Sequence, residues 1–307
     1  MLTSLLYLFF GSIFLFLGAD WLVKSAVYFA QRLKISSLVI GLTVVAFGTS
    51  LPELVISVNA VLSDSASIAI GNVIGSNIAN VGLVLGLSSL IFPISIHYQR
   101  VKRDLYYYLI VSVFFIGFLT DGVINRLEGL ILFLGIIIYL LSLIKFKRIV
   151  EIETDSPLKN ISMGIILFTI GVIGLYYGSG MFVDGAVELA RIIGVSEMII
   201  GMSVVALGTS LPELSTCIVA SFKKQHAISV GNIIGSNLFN VLSVVGIVGM
   251  IKPIVSSGAI FSLEIPVMMA FGIVLIPLGL VKQPLSRIYS LLLVLGYFTF
   301  IYSLFSI

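Results

Sequence analysis

The chain predicts an all-α polytopic membrane protein with ten transmembrane helices in two inverted-topology five-helix repeats. Three observations carry this prediction. The 307 residues are 59% hydrophobic and only 10% charged, whereas a soluble domain carries about 25% charged residues. Apolar stretches of about 20 residues recur along the whole sequence, the length that crosses about 30 Å of hydrocarbon. A 14-residue segment returns, nearly letter for letter, at an offset of 160 residues.

The ten stretches fall at roughly 3–23, 37–61, 67–91, 104–121, 127–144, 161–183, 197–221, 227–250, 262–281 and 287–306. The first lacks a basic n-region and is long for a signal-peptide core, so it counts as a span. The single cysteine, Cys217, lies inside the seventh stretch, which excludes a disulfide framework. Between the fifth and sixth stretches lies the longest polar connection, 145–160. It predicts a cytoplasmic linker between a first repeat, 1–144, and a second, 161–307. A connection this short has no room for a soluble regulatory module.

Charge sets the sidedness. With the N-terminus outside, the inside connections hold 14 Lys and Arg residues. The outside ones hold Arg126, Arg191 and Lys252, together all 17. Cytoplasmic loops are enriched in Lys and Arg, so both termini are expected to face the extracellular side of a plasma membrane.

The repeat carries the chemistry. Gly41-Leu-Thr-Val-Val-Ala-Phe-Gly-Thr-Ser-Leu-Pro-Glu-Leu54 returns as Gly201-Met-Ser-Val-Val-Ala-Leu-Gly-Thr-Ser-Leu-Pro-Glu-Leu214, with 11 of 14 positions identical. Gly71-Asn-Val-Ile-Gly-Ser-Asn-Ile-Ala-Asn80 returns as Gly231-Asn-Ile-Ile-Gly-Ser-Asn-Leu-Phe-Asn240. Equivalent points are five spans apart. Five is odd, so the second copy crosses the membrane in the opposite sense. Inverted repeats place an ion or substrate site at the repeat interface near the midplane.

Pro52 lacks an N–H and clashes with the carbonyl of Gly48, so the helix should break around Thr49–Pro52. Carbonyls freed in hydrocarbon need a cavity, water or an ion. The main-chain oxygens from Ala46 to Thr49 thereby become candidate cation ligands, and Glu53 supplies charge. Pro212 and Glu213 repeat the arrangement. A mid-membrane carboxylate costs about 2.5–3.5 kcal/mol, and a bound divalent cation would neutralise the pair. Ser76 and Asn80 share one helical face, as do Ser236 and Asn240. An all-oxygen ligand set suits Ca²⁺ or Mg²⁺. For Asn72, Asn77, Asn232 and Asn237 interhelical hydrogen bonding is the favoured role, because one helical face cannot hold every polar residue. Packing also accounts for the Gly-x-x-x-Gly pairs Gly71/Gly75, Gly82/Gly86 and Gly231/Gly235. His97 and His226 read as interfacial. Asp20 is expected near the inner end of the first span, solvated or paired. Asp64, Asp121, Glu128, Asp184, Glu188 and Glu197 fall on outward connections, with at most a mild role in attracting cations.

These paired motifs resemble the alpha repeats of the sodium/calcium exchanger family, within the cation/calcium antiporter superfamily, in a prokaryotic form without a regulatory loop domain. The resemblance covers nearly the whole chain. It implies a secondary active antiporter that exchanges Na⁺ for Ca²⁺ by alternating access, electrogenic, with a core built from spans 2, 3, 7 and 8. Spans 1 and 6 would slide across that core. It implies that Glu53 and Glu213 ligate Ca²⁺ with Thr49 and Thr209. It implies Na⁺ sites at Ala46, Ser50, Ser76, Asn80, Ala206, Ser210, Ser236 and Asn240, sharing the Glu and Thr ligands. Some relatives carry Asp at the position of Asn240, and Asn there resembles the potassium-independent exchangers. The alternatives are a Ca²⁺/H⁺ antiporter or a transporter of another divalent cation. An enzyme is not expected, since no His-Glu-x-x-His motif or membrane-embedded base is present. Neither a resident cofactor nor a protein or nucleic-acid partner is implied. The ions are substrates and the bilayer is the surroundings.

Overall fold

The structure, a computed structural model, describes residues 1–145, 156, 158, 160–194, 206–256 and 258–304. The described chain is predominantly helical. The helices are α1 (Leu2–Leu33), α2 (Ser37–Thr49), α3 (Leu51–Leu62), α4 (Ala66–Ile91), α5 (Tyr98–Phe118) and α6 (Arg126–Lys145). They continue as α7 (Ile161–Ile192), α8 (Leu211–Phe222), α9 (His226–Ile251), α10 (Glu264–Leu280) and α11 (Arg287–Leu304). A helical turn, Ala206–Gly208, precedes α8. Among the described residues α1, α4, α6, α7, α9 and α11 are long and apolar enough to cross a membrane. The bent pair α2–α3 is long and apolar enough to cross if taken as one span, and α8 and α10 are shorter apolar helices. The linker 145–160 and the start of the seventh stretch, 197–205, lie almost wholly outside the described residues.

Two expected boundaries move. The first and sixth stretches continue well past 23 and 183, to Leu33 and Ile192. The added turns of α1 bury Ala26, Val27 and Ala30, so protein contacts continue the helix. Asp20 therefore sits inside α1 rather than near its end.

The central layer is α4 and α9. About four-fifths of each apolar window is buried, against 28% in α1, α6, α7 and α11. A helix buried on every side meets a neighbour on every face, so its polar residues all need partners. Both helices contain a π-helical turn, Asn80–Leu85 in α4 and Phe239–Val244 in α9. A third, Gly41–Val45, lies in α2.

Glycines set the closest helix contacts. An ideal Cβ at Gly41 would stand 2.7 Å from the Ile228 carbonyl oxygen, so α2 lies directly on the backbone of α9. Likewise α1 lies on α7, where a Cβ at Gly18 would stand 2.8 Å from the Gly171 carbonyl oxygen. Gly231 and Gly235 also lie on neighbouring backbone, whereas Gly82 and Gly86 are packed chiefly by side chains of α10 and α11. Gly71 and Gly75 depart from the packing expectation: nothing lies within 4 Å of their Cβ positions, and both line a cavity of about 310 Å³. The counterpart of Gly41 at the 160-residue offset is Gly201, which lies outside the described residues.

The connections meet in pairs. Val123 and Ile124 pair with Val255 and Ile254 in a two-stranded antiparallel ribbon, and Lys252 forms an ion pair with Asp64. Leu285 N–H donates to the Ile94 carbonyl, Ser156 N–H donates to Gln31 Oε1, and Lys223 joins Asp20. His97 is exposed and His226 half-buried, each at the start of a helix. Every one of these contacts joins segments that the Lys and Arg count places on the same side.

Candidate cation site

The helix break falls at Ser50, whose backbone (φ −86°, ψ 4°) separates α2 from α3 at a bend of 43°. Pro52 occupies the first turn of α3, where its missing N–H costs nothing. Ser210 repeats the geometry before α8, with φ −88° and ψ 3°. Each break leaves a glutamate in the first turn of the following helix, a placement favoured by the helix dipole.

Glu53 and Glu213 are both fully buried and close enough to feel each other's charge. Ser50 Oγ and Ser236 Oγ each donate to Glu213 Oε1 at 3.4 Å. Thr49 Oγ1 lies 3.3 Å from Ser236 Oγ and donates to Asn232 Oδ1 at 2.9 Å. Ser76 stands beside the Glu53 carboxylate. The structure thus gathers Thr49, Ser50, Glu53, Ser76, Glu213 and Ser236 at one place where the two halves meet. Asn80 and Asn240 are also fully buried, one on each central helix.

Most of these groups share an unusual condition. Among the described residues, both oxygens of Glu53, Oε2 of Glu213, the hydroxyls of Ser76 and Ser210, and Oδ1 of Asn80 and Asn240 are buried without a hydrogen-bond partner. Buried polar atoms are nearly always paired, and an unpaired one costs about 1–3 kcal/mol. The five carboxylate and amide oxygens can only accept. Carboxylate, amide and hydroxyl oxygens with free lone pairs are the ligands a hard cation takes, and they make this a candidate cradle for one. The acids of this cradle are the two glutamates; among the described residues no three His, Cys, Asp or Glu come together.

Ala46, Ala206 and Thr209 are the remaining expected ligands. The Ala46 carbonyl accepts from Ser50 N–H at 3.0 Å and from Thr49 Oγ1 at 3.3 Å, so a cation would use its remaining directions. Only the backbone of Ala206 is described, in the turn before α8. Thr209 is half-buried, unlike its fully buried counterpart Thr49. It lines a cavity of about 340 Å³ with Pro52, Ile56, Gly208, Tyr176 and Asp184. This cavity runs from the helix break to an exposed carboxylate.

The four asparagines read as interhelical ties do tie helices. Asn72 Nδ2 donates to the Glu53 carbonyl at 3.1 Å and to Ser57 Oγ at 3.0 Å, joining α4 to α3. Asn232 Nδ2 reaches Cys217 Sγ at 3.6 Å, joining α9 to α8. Asn77 and Asn237 join α4 to α9. No residue pattern in the π-helical turns announces their extra residue per turn. Such turns are frequent at functional sites.

The chain matches the family described as sodium/calcium exchanger protein over residues 3–145 and 163–306. It belongs to the sodium/calcium exchanger family. Among family-like relatives, the sodium/calcium exchanger MaX1 of Methanosarcina acetivorans is 31% identical over 99% of both chains. The inner membrane protein YrbG of Escherichia coli is 35% identical over 89% of this chain and 88% of its own. A solved structure of the sodium-calcium exchanger NCX_Mj superposes with a TM-score of 0.85 at 32% identity, covering 97% of this chain and 98% of the other. Family membership matches the breadth of the internal repeat, since the matched residues span both of its copies.

Proposed function

We propose that the protein is a secondary active antiporter that exchanges Na⁺ for Ca²⁺ across the membrane by alternating access. The observation that carries this reading is that both oxygens of Glu53 and Oε2 of Glu213 are buried without a partner, as are oxygens of Ser76, Ser210, Asn80 and Asn240 in the same two repeated motifs. Two carboxylates balance one Ca²⁺. Amide and hydroxyl oxygens extend the set toward the 6–8 ligands that Ca²⁺ accepts. In this reading Glu53, Glu213, Thr49 and Thr209 hold Ca²⁺. Na⁺ uses Ala46, Ser50, Ser76, Asn80, Ala206, Ser210, Ser236 and Asn240 with the same Glu and Thr groups.

The architecture we assign is ten spans in two inverted five-helix repeats, 1–144 and 161–307, joined by a cytoplasmic linker at 145–160. The grouping of the connections supports it, because a chain that alternates sides ten times would bring together the segments that touch. With both termini extracellular at the plasma membrane, the cavity between Thr209 and Asp184 opens outward. Alternating access then requires this side to close as the other opens.

Three Na⁺ against two carboxylates leave one net positive charge, whereas one Ca²⁺ leaves none. A 3:1 exchange is therefore electrogenic, worth about 2.3 kcal/mol per charge per 100 mV. With Asn rather than an acid at position 240, transport is K⁺-independent. The hydroxyls of the set favour Na⁺ over H⁺ as the coupling ion, because protonation of two glutamates would need none of them.

The test is radioactive Ca²⁺ uptake into Na⁺-loaded proteoliposomes diluted into Na⁺-free, K⁺-free buffer. Uptake that requires the Na⁺ gradient and builds an inside-negative potential, read with a voltage-sensitive dye, supports the reading. Uptake driven by a pH gradient and indifferent to Na⁺ makes the protein a Ca²⁺/H⁺ antiporter. Uptake that appears only when K⁺ is added overturns K⁺ independence.

A further inference from the structure

Asn77 and Asn237 contribute no atom to the proposed cation cradle, yet they hold two residues that do. Asn80 Nδ2 donates to Asn237 Oδ1 at 3.0 Å, and Asn240 Nδ2 donates to Asn77 Oδ1 at 3.1 Å. Asn77 Nδ2 in turn faces the Asn237 carbonyl at 3.4 Å. Both asparagines are buried, at 1% and 0% exposure, and Tyr108 stands against them. The two clamping bonds cross the meeting plane of the halves: a first-half residue holds Asn240, and a second-half residue holds Asn80.

An amide has a donor end and an acceptor end. With the NH₂ groups of Asn80 and Asn240 held by Asn237 and Asn77, their Oδ1 atoms are the ends left buried and unpaired. Reversal of either amide would set its carbonyl against another carbonyl oxygen and turn an NH₂ group to the cation. Two acceptors would then become two repellers. The orientation of these two amides decides whether this part of the cradle attracts or rejects a cation, and an acceptor on the opposite half decides the orientation.

We propose that Asn77 and Asn237 are positioning residues that turn the carbonyl oxygens of Asn240 and Asn80 toward the transported cation, each acting across the interface between the halves. The inference rests on the cation-site reading given above. It goes beyond interhelical packing, because it predicts which pairs of residues act as one unit. Residues that act as one unit show large interaction energies in double-mutant cycles, whereas independent ones add.

The experiment measures the Ca²⁺ concentration for half-maximal uptake, and the maximal rate, in proteoliposomes with a fixed Na⁺ gradient. Four single variants are needed: Asn77→Leu, Asn237→Leu, Asn80→Ala and Asn240→Ala. The crossed doubles 77/240 and 237/80 are compared with the same-helix doubles 77/80 and 237/240. Leu keeps the branched outline of the side chain and removes the acceptor. Asn77→Leu is expected to raise half-saturation about tenfold with a smaller change in maximal rate. The crossed doubles are expected to be no worse than the worse single, while the same-helix doubles multiply. Asn77→Ser keeps a hydroxyl acceptor and is expected to retain part of the affinity. It also carries the test if Leu prevents folding. Crossed doubles that multiply like same-helix ones would overturn the inference and leave the cation site standing. Unchanged half-saturation in Asn80→Ala and Asn240→Ala would overturn the site assignment of these residues and the inference with it.

Discussion

The Ser50 hydroxyl, in the first half of the chain, donates to Glu213 Oε1, in the second half, at 3.4 Å. Residues 163 positions apart thus share one buried carboxylate, and neither half builds the site alone. Replacing either glutamate by Gln keeps the shape and removes half of the negative charge. Glu53→Gln and Glu213→Gln are each expected to reduce Na⁺-dependent Ca²⁺ uptake to background while leaving the thermal unfolding temperature in ion-free detergent unchanged or raised, because a costly buried charge is gone. Uptake near the wild-type rate in either variant would remove that carboxylate from the transport site.

Asp20 is held from two directions. Lys24, one turn along α1, lies 2.6 Å away, and Lys223, beyond the end of α8, completes the cluster. Asp20→Asn would leave two lysines facing each other, whereas Lys223→Met leaves Asp20 paired with Lys24. We expect Asp20→Asn to destabilise by about 1 kcal/mol and Lys223→Met by less, with Asp20→Asn/Lys223→Met recovering part of the loss. Thermal unfolding of the purified protein in detergent at low and high salt measures this order. The reverse order would mean that the Lys223 contact dominates.

The backbones of α1 and α7 touch at Gly18. Its ideal Cβ would lie 2.8 Å from both the Gly171 carbonyl oxygen and Leu175 N. Neither atom belongs to a flexible side chain, so the helices must part. Gly18→Val is expected to cost about 1–3 kcal/mol, read as a lowered unfolding temperature. Gly117→Val, with nothing within 4 Å of its Cβ, serves as the tolerant control. Equal losses at the two sites would show that helix propensity rather than close approach sets the cost.

The exposed pair Asp64–Lys252 gives a pH signature. The Lys252 ammonium holds the Asp64 carboxyl below its ordinary value of 3.8. A depressed carboxylate adds stability that is complete above that value and lost as pH falls through the folded-state one. Asp64→Asn should therefore lower the unfolding temperature slightly at pH 6–7 and converge with the wild type in strong acid, and salt should shrink the difference. A difference that grows toward acid pH would contradict this sign.

Much of the site was legible in the residues, because the chemistry leaves marks in composition. A chain of 59% hydrophobic residues carries glutamates in its apolar runs only where something offsets their cost. A proline one position before each glutamate locates the break to within about a residue. The same offset of 160 residues in both motifs pairs the copies. What such marks cannot carry is which side of a helix meets which neighbour. α4 and α9 are buried on most of their faces, so periodicity alone does not separate Ser76 and Asn80 from Asn77. The π-helical turns at Asn80 and Phe239 shift the facing of the residues after them.

Residue types and their spacing were enough to mark apolar stretches, the two helix breaks, the paired acids and the family pattern, because each is a property of a few neighbouring residues. The partners of those residues come from afar. Asn240 meets Asn77 across 163 positions, Thr49 meets Asn232 across 183, and Asp20 meets Lys223 from another helix. Long-range contacts of this kind follow from how the central helices cross and how closely glycine lets them approach. A hydrogen bond exists only where that packing brings donor and acceptor within about 3 Å.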